Sequence, residues 1–470
     1  MLTKMSIRVL FVAWVSFGGI VANEQWWVDA GLPGNFADGV REIYDDTATN
    51  TLYCMGQIQL AMGDPYCFCM YHAGIWTVSD PLNLQTETAI RYGDTLIIGG
   101  HFTYIGGQPL QQTGGQQINY ISAYLNGEWI PFGNFDGPVG ALRILNGTLY
   151  ALGAFSYVDG AWCGGVAKRV GGTWQNVGTF PASNYAYVAD AILYQGNLVV
   201  TGTIYFSGVP YDHIIQYDGQ NWTPLGQGIQ TNMGGGGTLA VYQGELYVGG
   251  IFKLSEGNVG HCIMRWDGQT WHPVGTGVQD EYNVYIYAIG VRKLLVKDGL
   301  LFACGGFQYA GNVPAAFTAT WNGDRWCGFG GSLDPNLGTT AMGFYGDTLF
   351  VGCGTSADGQ PVNHLVRYIG EEWGDTCSVP MGDIGMGVAD APGRKKPMHL
   401  ADLGDGLFRL LGEVPSGSLH VFDAMGRLQR TIALQRSSDG MEPFHLSGLA
   451  TGCYVLELGG QWRGRVALVR

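Results

Sequence analysis

Apolar and polar residues alternate in short runs along most of the chain, and the runs come in pairs joined by a tight turn. The clearest pairs are YGDTLIIGGHF, LNGTLYALGAF, YQGNLVVTGTI, YQGELYVGGIF, KDGLLFACGGF and YGDTLFVGCGT, with TLYCMGQI at 51–58 as a weaker first copy. Alternation with a period of two, bounded by glycine-containing turns, predicts β-hairpins. About 20 residues before most of these stands a second hairpin phrase that ends on a tryptophan: Trp76, Trp129, Trp174, Trp222, Trp271, Trp326 and Trp373 recur at intervals of 53, 45, 48, 49, 55 and 47 residues. Five residues before each comes Tyr71, Tyr124, Tyr217, Trp266, Trp321 or Tyr368, with Arg169 as the exception. Between the two lie turns such as Asn126-Gly127 and Asp267-Gly268, which supply the positive φ that a two-residue hairpin needs. Each repeat therefore carries four strands, and a period of this size built from β phrases predicts a propeller blade.

Seven repeats predict an all-β, seven-bladed β-propeller over residues 23–376. A strand around Trp26-Trp27, ahead of the first repeat, is expected to complete the last blade and remove an open edge. A glycine four residues after five of the tryptophans (Gly133, Gly178, Gly226, Gly275, Gly330) ends the outer strand before the chain crosses to the next blade. Glycines at the strand ends, such as Gly99-Gly100, Gly249-Gly250 and Gly305-Gly306, fit crowded backbone near an axis, or a bulge. In a four-strand meander the two tight hairpins share one face and the longer connections share the other. Function is expected on the long-loop face.

Composition agrees with this pattern. Gly 77 is about twice the usual share, and 46% hydrophobic against 13% charged residues suits a turn-rich β-protein and excludes a disordered chain. The formal charge is −14, and residues 398–470 hold seven basic and seven acidic groups, so the whole excess lies in the repeat region. Such a surface repels phosphate backbones, which argues against nucleic-acid binding. Lys4 and Arg8 precede an apolar run from Val9 to Ala22, the layout of a signal peptide over residues 1–22. No later stretch reaches the roughly 18 apolar residues of a spanning helix. Export would place the ten cysteines in an oxidising compartment, where pairing is possible but connectivity is unreadable. Cys54, Cys304 and Cys353 fall in apolar strand phrases and are expected as buried thiols.

The phrase of strand, turn, LYVGG-F and RWDG-x-x-W-x-x-x-G resembles the kelch and galactose-oxidase-type propellers. It is closer still to the kelch-like repeats of fungal cortical polarity markers and bacterial surface proteins, over roughly residues 26–375. The aromatic-to-Trp spacing of five is shorter than the usual kelch gap. After Trp373 the repeat stops, and residues 377–397, with Gly, Pro and the cluster Arg394-Lys395-Lys396, read as a linker. Residues 398–470 then give short alternating runs that predict a small β-sandwich. VFDAMGRL (421–428), LSGLATGCYVLEL (446–458) and the terminal GRVALVR resemble the C-terminal sorting domain of type IX secretion cargo in Bacteroidota. The opening Pro-Asn-Pro of that family is absent, with His399-Leu400-Ala401-Asp402 near its place. The resemblance implies type IX secretion machinery as a partner of residues 398–470, and delivery to the outer cell surface.

No residue set announces catalysis. His213, His261 and His364 precede third strands, which lie away from the axis, so they are not expected to share a metal. WDGQTW and YDGQNW lack the Ser/Thr of a sialidase Asp-box, and no GxSxG, HExxH, EF-hand or P-loop motif occurs. Neither a cofactor nor a catalytic residue is assigned. The candidate binding residues are Tyr104, Tyr157, Phe206 and Tyr309, which with Leu254 open the long loops at one equivalent position and could stack on sugars or anchor a protein. The leading expectation is a non-catalytic surface platform for glycan or protein. The alternative is a glycan-active hydrolase or lyase assembled at the channel mouth, which convergent carboxylates there would favour.

Overall fold

The computed structural model describes residues 26–61, 66–106, 116–180, 186–204, 213–231, 234–279, 290–315, 317–334, 339–370 and 376–377. In the C-terminal part it describes 399–402, 407–411, 418–423, 427–434, 436–437, 440–441, 444–446, 449, 452–458 and 462–468. The expected signal peptide, nearly all of the expected linker, Phe206 and Trp373 lie outside these residues. The chain divides into two compact units, residues 1–384 and 385–470.

In the first unit the described residues form seven antiparallel four-stranded sheets, one of them extended by a fifth strand. Six are meanders of consecutive strands. Their first strands are Asn35–Asp46, Thr86–Tyr92, Val139–Leu145, Tyr187–Tyr194, Gly236–Tyr242 and Val291–Lys297, for sheets 1 to 6. Sheet 7 begins at Ala341–Tyr345, and its fourth strand is Trp27–Asp29, paired to Leu365–Tyr368 with Trp27 opposite Tyr368. Each first strand packs against the first strands of the two adjacent sheets, and the order closes from sheet 7 back to sheet 1. A closed ring of radial antiparallel sheets is a β-propeller. Among the described residues the only helical element is the single 3-10 turn Leu254–Glu256.

The aromatic pairs hold neighbouring sheets together. Tyr71 faces Trp76, Tyr124 Trp129, Tyr217 Trp222, Trp266 Trp271 and Trp321 Trp326 across the third and fourth strands, with ring centroids 4.9–5.4 Å apart. Where Arg169 replaces the aromatic, its guanidinium lies 3.9 Å from the Phe132 ring centre and 5.5 Å from that of Trp174, so a cation–π contact takes over. Four of the indole N–H groups donate to a backbone carbonyl of the chain leaving the preceding sheet: Trp174 to Phe132 O (2.7 Å), Trp222 to Val177 O (2.8 Å), Trp271 to Leu225 O (3.1 Å) and Trp326 to Val274 O (2.9 Å). The residue after each acceptor is Gly133, Gly178, Gly226 or Gly275, and a Cβ there would strike the aromatic pair of the next sheet. These glycines therefore do more than end a strand. They admit the neighbour's rings.

The last sheet closes with the strand around Trp27, as expected from the sequence. Trp27, fully buried, fills the place opposite Tyr368 (centroids 5.0 Å) and donates to Gly330 O at 3.1 Å. Asp358 accepts the backbone N–H groups of Trp26 and Trp27 at 2.7 and 2.8 Å, fixing the closing strand. Trp373, five residues after Tyr368 in the repeat spacing, lies outside the described residues.

One disulfide joins Cys327 to Cys377, pairing the strand Thr376–Cys377 to the outer edge of sheet 6. Cys54, Cys67, Cys69, Cys163, Cys262, Cys304 and Cys353 are buried free thiols. Burial pushes the thiols of Cys54 and Cys304 well above the ordinary range. The second unit contains the sheets His399–Asp402 with Leu407–Leu411 and Phe444–His445, and Leu428–Ala433 with Ser418–Asp423, Gly452–Leu458 and Trp462–Leu468. Leu419 opposes Leu458 and Val421 opposes Leu456, all four buried, so alternate positions supply its core.

Replacing Trp27 by Ala is expected to cost about 3–5 kcal/mol, because it empties a filled core site and opens the ring at its seam. The exposed Ile75→Ala change on the outer strand of sheet 1 should stay within about 0.5 kcal/mol. Denaturant unfolding followed by tryptophan fluorescence and by circular dichroism measures both.

Candidate functional site

The axis is lined by the first strands, and a β-bulge recurs at one position in six of them. The register shifts between Val40 and Glu42, Thr86 and Thr88, Val139 and Ala141, Val188 and Asp190, Gly236 and Thr238, and Val291 and Lys293. The extra residues are Arg41, Glu87, Gly140, Ala189, Gly237 and Arg292. Thr340 holds the equivalent place in sheet 7, one residue ahead of the first paired residue Ala341. A bulge turns one side chain out of the alternation, here toward the channel. Opposite each bulge the second strand carries a glycine, because a Cβ at Gly100, Gly153, Gly202, Gly250 or Gly305 would collide with the carbonyl oxygen of Gln85, Pro138, Tyr187, Gly235 or Gly290. In sheet 7, whose ladder begins at Ala341, the corresponding residue is Cys353. The strand-end glycines of the sequence thus mark bulges.

The seven positions line a cavity of about 360 Å³ on the axis, with Glu42, Arg143, Tyr187, Asp190, Thr203, Ile251 and Lys293 among its other walls. Its deeper layer is a closed charge network. Arg143 Nε donates to Asp190 Oδ1 at 2.8 Å, and Lys293 Nζ lies 3.1 Å and Arg143 Nη1 4.0 Å from Glu42 Oε1. Asp190 Oδ2 accepts the N–H of Leu239 (2.9 Å) on the next sheet. Thr88 Oγ1 does the same for Leu142 and Thr238 Oγ1 for Leu294, at 3.2 and 3.1 Å. These side chains satisfy the inner strand edges that a ring turns toward its own axis. Burial alone would raise the Glu42 carboxyl, but Lys293, Arg143 and a Thr88 hydrogen bond outweigh it and hold it below the usual range.

The outer layer is different. Bulges stand near the start of each first strand, at the end where the crossovers enter, so Arg41, Glu87 and Arg292 form the mouth on the long-loop face. Burial and then the charge of Arg41 lower the pKa of Arg292. Burial raises the Glu87 carboxyl against the opposing pull of Arg41. His101 Nε2 is 3.5 Å from Glu87 Oε1, and burial followed by Arg41 keeps its imidazole below its ordinary value. Tyr187 retains 44% of its surface, open to the channel, and the enclosing protein raises its phenol. Gly140 gives it room: a Cβ there would lie 3.1 Å from the Tyr187 hydroxyl.

None of the described candidate aromatics, Tyr104, Tyr157 and Tyr309, lines this cavity. Tyr104, Tyr157 and Tyr309 begin short hairpins, at Tyr104–Ile105, Tyr157–Val158 and Tyr309–Ala310, and stand on separate sheets. Their backbones are tied to the preceding crossover. Asn83 Oδ1 accepts from Tyr104 N at 3.0 Å, Asp136 Oδ1 from Tyr157 N at 2.8 Å, and Gln279 O from Gln308 N at 2.9 Å. Tyr157 is 48% exposed, with its ring against Trp162 at 5.3 Å, while Tyr104 and Tyr309 are half-buried. No cluster able to hold a metal occurs among the described residues.

No protein-family model matches the chain, and no curated protein matches it. Among solved structures it is similar to PorZ, described as an essential bacterial surface component of the type IX secretion system of Porphyromonas gingivalis, with a TM-score of 0.44 and 12% identity. That alignment covers 94% of this chain and 61% of the other, so the chain spans about three fifths of PorZ. It is also similar to the WD40 β-propeller domain of Doa1 (TM-score 0.41, 13% identity, 74% of this chain and 97% of that one). A third similarity is to the computationally designed Ika8 protein (TM-score 0.36, 10% identity, 94% and 100%). The ring stands on its own strand order, independently of these likenesses.

Glu42 gives the charge network a measurable signature. Its depressed folded pKa means that its contribution to stability is complete above the unfolded value of 4.5 and is lost as pH falls through the folded value. Glu42→Gln should cost about 3 kcal/mol at neutral pH, by leaving Lys293 buried beside a neutral group. As pH falls below about 4.5 the wild type should lose stability faster than the variant, in urea titrations at each pH.

Proposed function

We propose that the chain is a secreted, surface-held, seven-bladed propeller of kelch-like type that serves as a non-catalytic platform, binding glycan or protein through its long-loop face. The observation that carries this reading is the division of the channel charges. Glu42 and Asp190 are consumed by Lys293 and Arg143, whereas the long-loop mouth presents Arg41, Arg292, Glu87 and Tyr187 toward a cavity of ligand size. Tyr104, Tyr157 and Tyr309 would extend the same face outward as contact surface. Export is read from the signal-peptide pattern over 1–22 and from residues 398–470 as a type IX sorting domain. Its phrases at 421–428 and 446–458 fall largely on paired strands of the separate second unit.

A second reading has one observation behind it. Glu87, with its carboxyl raised by burial, lies beside His101 and shares the mouth with Tyr187, which would suit proton transfer in a hydrolase or lyase.

A glycan array probed with the full chain and with Tyr157→Ala tests the platform. Binding confined to a few glycans and weakened severalfold by Tyr157→Ala is the expected result, while reproducible turnover of a bound glycan would replace it with the second reading. Deleting residues 398–470 should leave the protein in the periplasm. Normal secretion of that truncation would overturn the export assignment.

A further inference from the structure

Sheet 5 departs from its neighbours between its second and third strands. At that place sheets 2, 3, 6 and 7 carry a short antiparallel pair, begun by Tyr104–Ile105, Tyr157–Val158, Tyr309–Ala310 and Ser356–Ala357. In sheet 6 this pair packs onto the outer tryptophan: a Cβ at Gly311 would come within 2.8 Å of the Trp326 ring, and Trp326 is fully buried. Sheet 5 has the single 3-10 turn Leu254–Glu256 instead, and Trp271 stays half-buried. A cavity of about 180 Å³ opens against it, between the crossover from sheet 4 and the end of that turn.

We propose that this cavity receives one sugar ring of a glycan, stacked against the Trp266 and Trp271 pair and held at its edge by the amides of Gln227, Gln230 and Gln269. The inference rests on the glycan form of the platform reading and gives it a site of its own, between sheets 4 and 5 and separate from the axial mouth.

The floor of the cavity is aromatic. Trp266 and Trp271 face each other across the third and fourth strands, with ring centroids 5.2 Å apart. From the crossover side only bare backbone reaches them, since a Cβ at Gly226 would lie 2.6 Å from the Trp266 ring and 3.0 Å from Trp271 Nε1. The Trp271 N–H is already donated to Leu225 O at 3.1 Å, so what the residue offers a ligand is its ring. A sugar ring has an apolar C–H face to set on such a floor and hydroxyls around its edge, the division of apolar and polar contacts that small-molecule pockets use.

The walls are fastened to each other before any ligand arrives. Asn258, buried between the two loops, donates from Nδ2 to Gln230 O at 2.6 Å and to Lys253 O at 2.9 Å, while its Oδ1 accepts the Gln230 N–H at 2.9 Å. Glu256 Oε2 accepts the Lys253 N–H at 2.8 Å and closes the 3-10 turn. A wall already ordered loses little entropy on binding. Around it stand amides: Gln227 and Gln269 are exposed at the rim, and Gln230 Nε2 donates to Gln227 O at 2.6 Å. An amide carries both a donor and an acceptor and so pairs with a hydroxyl, which is both. The space between two tied loops suits a single ring, whereas an extended peptide needs an open groove.

Saturation-transfer NMR on the full chain with the methyl glycosides of glucose, galactose and mannose, and with poly-L-proline, tests this. The expected result is saturable binding of at least one glycoside at millimolar concentration, with the strongest transfer to ring C–H protons on one face of the sugar. Gln227→Ala and Gln269→Ala should each weaken that binding about fivefold. Val259→Trp, at an exposed position on the cavity wall, should abolish it by filling the space. Thermal unfolding of each variant checks that the fold is kept. Binding of none of the glycosides, binding of poly-L-proline in their place, transfer spread evenly over the sugar, or unchanged binding in Val259→Trp would each overturn the proposal. Array binding that is weakened by Tyr157→Ala and unchanged by Val259→Trp would sink this site and leave the platform reading standing.

Discussion

Everything in the first unit depends on how one sheet is fastened to the next. At the rim, an outer-strand tryptophan donates its indole N–H to a carbonyl of the chain leaving the preceding sheet, and the glycine after that carbonyl admits the ring. At the axis, Thr88, Asp190 and Thr238 accept an N–H from the neighbouring first strand. These outer and inner ties join neighbouring sheets. Since the ring must close, the last junction needs the same parts. Trp27 supplies the outer one from the beginning of the chain, with Asp358 holding its backbone.

That geometry makes the site. Radial sheets bring their first strands to the axis, so most channel residues lie on those strands or at their approaches, with Thr203 and Ile251 reaching it from the ends of second strands. The bulge selects one residue per strand and points it inward near the long-loop end. The cost falls on the second strand, which has no space for a side chain opposite the bulge and carries glycine there in all six bulged sheets. Scaffold and site are therefore coupled through the glycines.

The sequence made the framework legible and the site nearly invisible, for a physical reason. Framework positions do the same work in every sheet, so Trp76, Trp129 and their successors recur, and the turns recur with them. Even Arg169, which breaks the pattern, keeps the packing by placing its guanidinium on Phe132 and Trp174. Channel positions do different work in each sheet, and the series Arg41, Glu87, Gly140, Ala189, Gly237, Arg292, Thr340 contains no motif. A usable signal was present all the same. From sheet 2 onward each of these residues lies thirteen positions before the strand-end residue Gly100, Gly153, Gly202, Gly250, Gly305 or Cys353. The equivalent aromatics Tyr104, Tyr157 and Tyr309 were visible because they repeat, and they stand apart on hairpins bound to their crossovers. The closing strand around Trp27 was legible as well, because a ring of four-stranded sheets keeps an open edge without it.

The account stands or falls on closure by residues 27–29, since without it Arg41 and Arg292 do not share a mouth. Hydrogen exchange at Trp27, Val28 and Asp29, compared with their partners Val366, Arg367 and Tyr368, tests closure directly. The account predicts that both strands exchange slowly and open together in one cooperative step, with the same free energy. Rapid exchange over 27–29 beside full protection of 366–368 would contradict it.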